Sequence, residues 1–387
     1  MRSLLRKPGG RGARRIHSAV VNLLDVGLVV IGLGLLVAGG EGLVRGASSI
    51  AQRLGMSPLV VGLTIVAIAT SSPELAVTVG AVLAGQPELA VGNIVGSNIA
   101  NILLILGIAA LLLPLTARRR LVRIVVPVMI VLSGLLLVLS LDGGISRWDA
   151  LVLVVAFTTH LVWSVKASRG RNDNGETEVP PALSVGKAAA LIVMGVALLV
   201  LGSQWLVRGA SSIASAFGLS DLVIGLTVVA VGTSLPELAA SLIAVRKGER
   251  DLAIGNVVGS NIANIGFVLG LPALIAADGI PVPRAAIVLD IPLMIAVALA
   301  LLPIVFTGFV IRRWEGGLFV LLYVSYLVYL VLWATEHDAL DGFTTIVGLF
   351  VLPIVALTLI LLVVYELGRR KGRKEARAAV VSGEGDE

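Results

Sequence analysis

The sequence predicts an all-α polytopic membrane protein: an inverted-topology repeat of two five-helix halves plus one extra C-terminal transmembrane helix. Three observations carry this. Hydrophobic residues make up 57% of the 387-residue chain and charged residues only 14%, with mean hydropathy +1.01, far outside the range of a soluble domain. Eleven apolar runs are each long enough to cross a hydrocarbon core of about 30 Å as a helix. The stretch GLTIVAIATSSPELAVTVGAVLAGQPELAVGNIVGSNIANI, from Gly62, returns as GLTVVAVGTSLPELAASLIAVRKGERDLAIGNVVGSNIANI, from Gly225, at a constant offset of 163 residues.

The runs lie near 20–45, 57–84, 88–114, 121–141, 148–166, 183–207, 220–245, 251–277, 284–307, 314–334 and 343–365, and are numbered spans 1 to 11. Their length and continuous apolarity argue against a porin-type barrel, whose strands are about ten residues with alternating polarity. The chain divides into a basic N-terminal tail (1–19), a first repeat (20–166), a polar linker loop (167–187), a second repeat (188–335), the extra span 11 (343–365) and a basic tail (366–387). Span 11 has no counterpart in the repeat and is expected to be a peripheral helix. The chain has no cysteine, so disulfides and thiolate metal sites are excluded.

The formal charge of +6 gathers at span ends, in 118–123, 246–250, Arg312, Arg313 and the tail from Arg369. It therefore indicates a bilayer surface and no nucleic acid. Loops after spans 1, 3, 5, 7 and 9 are the Lys/Arg-rich ones, and the positive-inside rule makes them and the C-terminal tail cytoplasmic, in a multi-pass protein of the cell membrane. The N-terminal MRSLLRKPGGRGARR runs against the rule: the later loops override it, the start lies downstream, or the count is off by one. A cleaved signal peptide is disfavoured by the length of the run from Val20. Trp148, Trp163, Trp314 and Trp333 fall at span ends, as an aromatic belt would.

Without gaps, 43–107 aligns on 206–270 with about 40 identities in 65 positions, a duplication rather than convergence. Five spans separate equivalent points, so the second half enters the membrane reversed. The charges agree, since GQPE in the first copy lacks a basic residue and KGERD in the second is basic. Inverted repeats of this kind build secondary transporters whose site lies near the midplane, between discontinuous helices.

The repeated stretch holds the polar chemistry. Thr70 and Glu74 are four residues apart and share a helix face, with Ser71 and Pro73 beside them; the second copy has Thr233, Ser234, Pro236 and Glu237. Proline inside a helix is expected to free carbonyls near Ala67 to Thr70. Hydroxyls, carbonyls and a carboxylate at midspan make an oxygen cage of the kind hard cations require. The next helix reads GNxVGSNIAN, which gives Asn93, Ser97, Asn98 and Asn101, then Asn256, Ser260, Asn261 and Asn264. Gly92 with Gly96 and Gly255 with Gly259 are small-xxx-small pairs that allow close helix approach. Polar residues of such helices also serve as interhelical glue, and Asn93, Asn98, Asn256 and Asn261 read equally as packing or helix-opening groups. Glu74 and Glu237 read as functional, because each sits in an apolar span with no basic neighbour in sequence. Two carboxylates about 6 Å apart at an effective dielectric near 20 repel by roughly 3 kcal/mol. One divalent ion would neutralise both, and the flanking oxygens could hold monovalent ions when it leaves.

Other polar groups read as bland. Glu41 precedes Arg45 by four residues, which favours a surface ion pair, and its repeat counterpart is Gln204. His160 reads as interfacial, and Asp25 and Asp290 as groups near span ends.

At ATSSPEL with GNIVGSNIAN and GTSLPEL with GNVVGSNIAN the chain resembles the calcium/cation antiporter superfamily, in its prokaryotic sodium/calcium exchanger branch, across about 20–335. The resemblance implies a secondary antiporter exchanging Ca²⁺ for Na⁺ by alternating access, with no enzymatic activity and no cofactor, its ions being substrates. It implies that Glu74, Glu237, Thr70 and Thr233 ligate calcium. Flanking sodium sites would use Ser71, Ser97, Ser234 and Ser260 with the carbonyls of Ala67 and Ala230, and Asn101 and Asn264 would complete the central site. It also implies that spans 1 and 6, Gly-rich and without midspan polar groups, slide across a core of spans 2, 3, 7 and 8. Some relatives, including branches that carry potassium, have Asp at one of the last two asparagines; this chain has Asn at both, so potassium-independent exchange is expected, and Asn264→Asp is expected to change the monovalent-ion dependence. The alternatives are a proton-coupled antiporter, whose branch usually has an acidic residue within GSN, and a cation channel, which strong midplane ligands disfavour. An intramembrane enzyme lacks support, since there is no HExxH and the chain has three histidines.

Overall fold

The computed structural model describes residues 22–167, 183–219, 221–224, 227–228, 230–306 and 308–382. The N-terminal tail, most of the expected linker loop and the last five residues lie outside them.

The architecture is helical, with two short strand pairs. Among the described residues, nine helices are long and apolar enough to span a membrane, and a bent pair makes a tenth. Span 1 is Leu23–Leu54, span 2 the bent pair Pro58–Thr70 and Ser72–Leu83, span 3 Leu89–Leu112, span 4 Leu121–Leu139 and span 5 Arg147–Lys166. Span 6 is Val185–Ala216, span 8 Arg250–Ile275, span 9 Ala286–Phe306, span 10 Arg313–Ala334 and span 11 Leu340–Arg369. Span 7 is described in the helical pieces Asp221–Ile224, Ala230–Gly232 and Leu235–Arg246.

Spans 1 and 6 run well past the ends expected from hydropathy. Each is a 32-residue helix, about 48 Å long at 1.5 Å per residue, which a 30 Å core accommodates by tilt or protrusion. The extra turns are LVRGASSIA, polar enough to look like a loop yet free of helix breakers. Asn22 caps the start of span 1, its Oδ1 accepting from Leu24 N–H at 3.1 Å, and Gly55 ends it with φ +60°, a conformation glycine adopts without strain.

Two strand pairs fix the topology. β1 (Leu115–Thr116) follows span 3, β2 (Gly144–Ile145) follows span 4, β3 (Ile280–Pro281) follows span 8 and β4 (Val310–Ile311) follows span 9. β1 pairs antiparallel with β4, Leu115 opposite Ile311, and β2 with β3, Gly144 opposite Pro281. Paired strands lie about 5 Å apart, so the loops after spans 3 and 9 share one face and those after spans 4 and 8 share the other. The duplication maps β1 onto β3 and β2 onto β4, so each pair becomes the other under the repeat. That is the inverted topology read from the sequence.

Spans 1 and 6 pack antiparallel along a glycine seam with a seven-residue period, Gly32, Gly39 and Gly46 against Gly202, Gly195 and Ala188. A Cβ on Gly39 would stand 2.7 Å from the Gly195 carbonyl oxygen, and one on Gly32 2.8 Å from that of Gly202. Ser212 Oγ donates to Asp25 Oδ2 at 2.7 Å where the end of span 6 meets the start of span 1.

Spans 3 and 8 are the most enclosed of the described spans, 78% of each apolar window being buried, against 22% for spans 1 and 6. Span 2 crosses span 8 backbone to backbone: a Cβ on Gly255 would lie 2.5 Å from the Leu59 carbonyl oxygen and one on Gly259 2.7 Å from Leu63 Cα. The expected close approach thus occurs at Gly255 and Gly259. At Gly92 and Gly96 a Cβ would meet nothing within 4 Å among the described residues. Their repeat-related partner, near 225, lies outside those residues. Span 11 is peripheral, with 6% of its window buried.

Two bland readings change, while Asp25 does lie at a span end, in the first turn of span 1. Glu41 and Arg45 are both exposed and form no ion pair among the described residues, one turn of helix leaving each side chain to extend outward. His160 points into the protein rather than to an interface, its Nε2 at 3.4 Å from Ser164 Oγ on the same helix face. Asp25 is held by Ser212.

Candidate cation site

The site begins with two broken helices. The break in span 2 falls at Ser71 (φ −80°, ψ 8°), and the helix resumes at Ser72 after a 43° bend. Pro73 therefore occupies the first turn of a new helix, where a missing N–H costs nothing. This corrects the expectation of a proline inside a helix that frees the carbonyls before it. Ala67 O keeps its helical bond from Ser71 N–H at 3.0 Å, and Thr70 Oγ1 lies 3.4 Å from it. Ala67 O can reach a cation only with its second lone pair. The second copy repeats the design: Ser234 (φ −90°, ψ 6°) breaks the chain and Leu235–Arg246 begins with Pro236 in its first turn.

Glu74 and Glu237 each lie in the first turn of the resumed helix. The half-helix before each break presents the negative end of its dipole to the same place, and the half-helix after it the positive end. The carboxylates thus sit on exposed amides while carbonyl ends face the gap. Glu74 is 1% exposed and Glu237 0%, and the two are electrostatic neighbours. Neither takes part in an ion pair among the described residues. A buried carboxylate without such a partner needs a cation beside it or a proton on it.

The predicted residues lie in the protein core, with two exceptions in detail, and hydrogen bonds join some of them across the repeats. Thr70, Ser71, Ser97, Asn101, Ser234, Ser260 and Asn264 are all buried, as is Ala67. Thr233 is half-buried, and Ala230 opens a short helix, its side chain lying outside the described set. Ser71 Oγ donates to Glu237 Oε1 at 3.2 Å, and Thr70 Oγ1 to Asn256 Oδ1 at 3.1 Å, so both contacts cross from the first repeat to the second. Among the described residues, eight buried side-chain atoms lack a hydrogen-bond partner. Seven belong to the predicted set: Glu74 Oε2, Glu237 Oε2, Ser97 Oγ, Ser234 Oγ, Ser260 Oγ, Asn101 Oδ1 and Asn264 Oδ1. Buried polar atoms are ordinarily paired, so this concentration of oxygens marks a place built for a ligand that accepts oxygen donors. The other helices of the core shape it further. Asn101 and Asn264 each open a wide π-helical segment, Asn101–Leu106 and Asn264–Leu269, a distortion frequent at functional sites.

Sequence reading missed Thr78 and Ser241. Asn93 Nδ2 donates to Glu74 O at 3.2 Å and Thr78 Oγ1 at 3.1 Å; Asn256 Nδ2 donates to Glu237 O at 3.3 Å and Ser241 Oγ at 3.0 Å. These clamps hold each glutamate-bearing helix to the next span. The available signal was spacing: Thr78 and Ser241 follow their glutamates by four residues, on the same face.

Inverted repeats, two interrupted helices and a buried oxygen cage around two carboxylates define the class: a secondary cation antiporter. The chain belongs to the sodium/calcium exchanger family, whose model, described as sodium/calcium exchanger protein, matches residues 24–166 and 187–332. It is 41% identical over 280 residues to the putative antiporter CaxA of Alkalimonas amylolytica, covering 71% of this chain and 87% of that one. It is 34% identical over 342 residues to the sodium/calcium exchanger MaX1 of Methanosarcina acetivorans, covering 78% and 97%. A solved structure of the sodium-calcium exchanger NCX_Mj, soaked with Na⁺ and Sr²⁺, superposes with TM-score 0.67 at 34% identity, over 79% of this chain and 97% of that one. The chain is thus a multi-span membrane antiporter of cations, and not an enzyme.

Proposed function

We propose that the protein exchanges Ca²⁺ for Na⁺ at one midplane site, without a requirement for K⁺. The observation that carries this is the set of seven unpartnered buried oxygens in the predicted residues, two of them on Glu74 and Glu237. Two carboxylates match one Ca²⁺ in charge, and the neutral hydroxyl and amide oxygens complete the many-oxygen shell that this ion takes. With calcium gone, the same carboxylates need new counter-charge, which Na⁺ supplies on flanking oxygens: Ser71, Ser97 and Ala67 O on one side, Ser234, Ser260 and Ala230 O on the other. Calcium would be held by Glu74, Glu237, Thr70 and Thr233, with Asn101 and Asn264 as neutral central ligands. Ions exchange because the two occupancies compete for one pair of charges.

The packing supports alternating exposure by a moving helix pair. The glycine seam makes spans 1 and 6 a single two-helix body, and it slides over the core past the site. The Lys/Arg-rich loops after spans 1, 3, 5, 7 and 9 support a cytoplasmic C-terminus in a protein of the cell membrane. Potassium independence rests on amides at both central positions, which add no further negative charge for a second monovalent ion.

Coupling to protons is the second reading, favoured by the absence of a basic counter-ion at either glutamate among the described residues, since protons could then replace Na⁺ as the exchanged counter-charge. Radioactive calcium uptake into sodium-loaded proteoliposomes separates the two. Uptake driven by the outward Na⁺ gradient, and unaltered by external K⁺, is expected. Uptake that follows a pH gradient and ignores sodium would establish the proton-coupled reading instead.

A further inference from the structure

Four asparagines at the centre of the fold form a crossed hydrogen-bonded ring. Asn101 Nδ2 donates to Asn261 Oδ1 at 2.9 Å, and Asn264 Nδ2 donates to Asn98 Oδ1 at 3.0 Å. Asn261 Nδ2 donates to the backbone oxygen of Asn98 at 3.2 Å, and Asn98 Nδ2 to that of Asn261 at 3.5 Å and to Met294 Sδ at 3.3 Å. All four side chains are buried, none more than 2% exposed. The oxygens left over are Asn101 Oδ1 and Asn264 Oδ1.

An asparagine is an ambivalent cation ligand. Its amide oxygen and nitrogen are nearly the same size, and a half-turn about the last torsion presents two N–H donors where the oxygen stood. The ring removes that freedom, and its sense propagates from atoms that cannot turn over. A backbone carbonyl only accepts, so Asn98 and Asn261 must aim their nitrogens at each other's main chain. Their oxygens then face Asn264 and Asn101, which must answer with nitrogen. The remaining oxygens of Asn101 and Asn264 consequently face the cage. A flipped Asn264 would set its oxygen against Asn98 Oδ1, acceptor to acceptor, inside a protein core.

We propose that Asn98 and Asn261 are positioning residues that set the cation affinity of the site, each fixing the amide of the central asparagine in the opposite repeat so that oxygen, and not N–H, meets the ion. This rests on the reading of the site as one for Ca²⁺ and Na⁺. It also accounts for the amides at both central positions. The residue at 264 must donate to Asn98, and a carboxylate there cannot do so unless Asn98 turns over and gives up its bond to the Asn261 backbone. The crossing has a further consequence: damage to one repeat's positioning residue appears in the other repeat's ligand.

The test uses the full chain in proteoliposomes and in detergent, comparing wild type with Asn98→Ala, Asn261→Ala, Asn101→Ala, Asn264→Ala and their pairs. The readouts are KM for Ca²⁺, Vmax, and the melting temperature in calcium-free buffer. Asn98→Ala and Asn261→Ala are expected to raise KM about 3- to 10-fold, the worth of one oriented hydrogen bond, with Vmax little changed and the calcium-free melting temperature lowered by the buried bonds lost. The crossed pairs Asn98→Ala/Asn264→Ala and Asn261→Ala/Asn101→Ala should be no worse than the single change at the ligand. The pair Asn98→Ala/Asn101→Ala should multiply its two effects. Asn98→Asp keeps the acceptor that Asn264 needs but loses the donor to the Asn261 backbone, so its KM should rise less than that of Asn98→Ala, which also serves if alanine there prevents folding. Unchanged KM in both positioning variants, multiplicative crossed pairs, or equal loss in Asn98→Asp and Asn98→Ala would overturn the proposal while exchange by the wild type continued. A wild type that neither exchanges nor binds calcium would overturn the functional reading beneath it.

Discussion

Spans 1 and 6 and the core of spans 2, 3, 7 and 8 solve opposite problems with the same small repertoire of residues. In the pair, glycine every seven residues lets two long helices touch along their backbones and leaves a surface that is mostly exposed. In the core, glycine at 62, 255 and 259 brings helices equally close, but the space won is lined by oxygens that have no protein partner. The pair is held by shape, and is the body proposed to slide. The core is held by hydrogen bonds that cross the repeats, and those bonds leave selected acceptors free. Small residues alone therefore do not indicate a moving helix or a fixed one; the polar atoms beside them do.

The largest effect expected of any change is at the carboxylates. Glu74→Gln and Glu237→Gln each remove one of two charges facing a divalent ion and should lower exchange at least about 100-fold, measured as sodium-driven calcium uptake, with the folded yield unchanged. Their effects should be equal in kind, since the repeats contribute one charge each.

The glycine seam comes next. Gly39→Val and Gly195→Val force side-chain atoms into carbonyls less than 3 Å from the new Cβ and should cost about 1–3 kcal/mol in overpacking, read as a fall in melting temperature and loss of exchange together. Gly34→Ala on the same helix, where a Cβ meets nothing within 4 Å, should change neither. Equal damage from all three would remove the distinction between seam and surface.

Smaller effects belong to the clamps. Asn93→Ala removes two hydrogen bonds to its glutamate-bearing helix, and Asn256→Ala removes two to its own together with the one it accepts from Thr70 Oγ1. A cost of about 1–3 kcal/mol is expected, with calcium affinity falling more than turnover.

The smallest lies where the two regions meet outside the membrane. Ser48 Oγ of span 1 is 3.4 Å from Glu249 Oε1 in the loop before span 8. Burial raises the Glu249 carboxyl above its ordinary value, and the charge of Asp251 adds to that, while the Ser48 contact opposes it. A raised folded-state value means that folding favours the protonated acid. The stabilisation is present in acid and is lost as pH rises through the folded-state value. Glu249→Gln should therefore raise the melting temperature slightly at pH 8 relative to wild type and leave it nearly unchanged at pH 4.

Much of this was legible in the chain. The offset of 163 residues paired the two halves of the candidate site, and charge alternation in the loops foretold the inversion that the strand pairs β1–β4 and β2–β3 display. Hydropathy placed the spans but cut spans 1 and 6 short, because LVRGASSIA is polar and helical at once. Pro73 misled: composition cannot tell a proline that distorts a helix from one that begins the next, since the answer lies in the φ and ψ of Ser71. The orientation of Asn98 and Asn261 was out of reach for a different reason. Their partners lie more than 150 residues away, on a helix whose crossing angle no local pattern encodes.

The most direct test of the shared two-carboxylate site is equilibrium binding of radioactive calcium to the purified protein, titrated with Na⁺, for wild type, Glu74→Gln and Glu237→Gln. One calcium per chain, displaced by sodium and lost in either variant, is the predicted result. Calcium that stays bound in both variants, or that sodium does not displace, would contradict it.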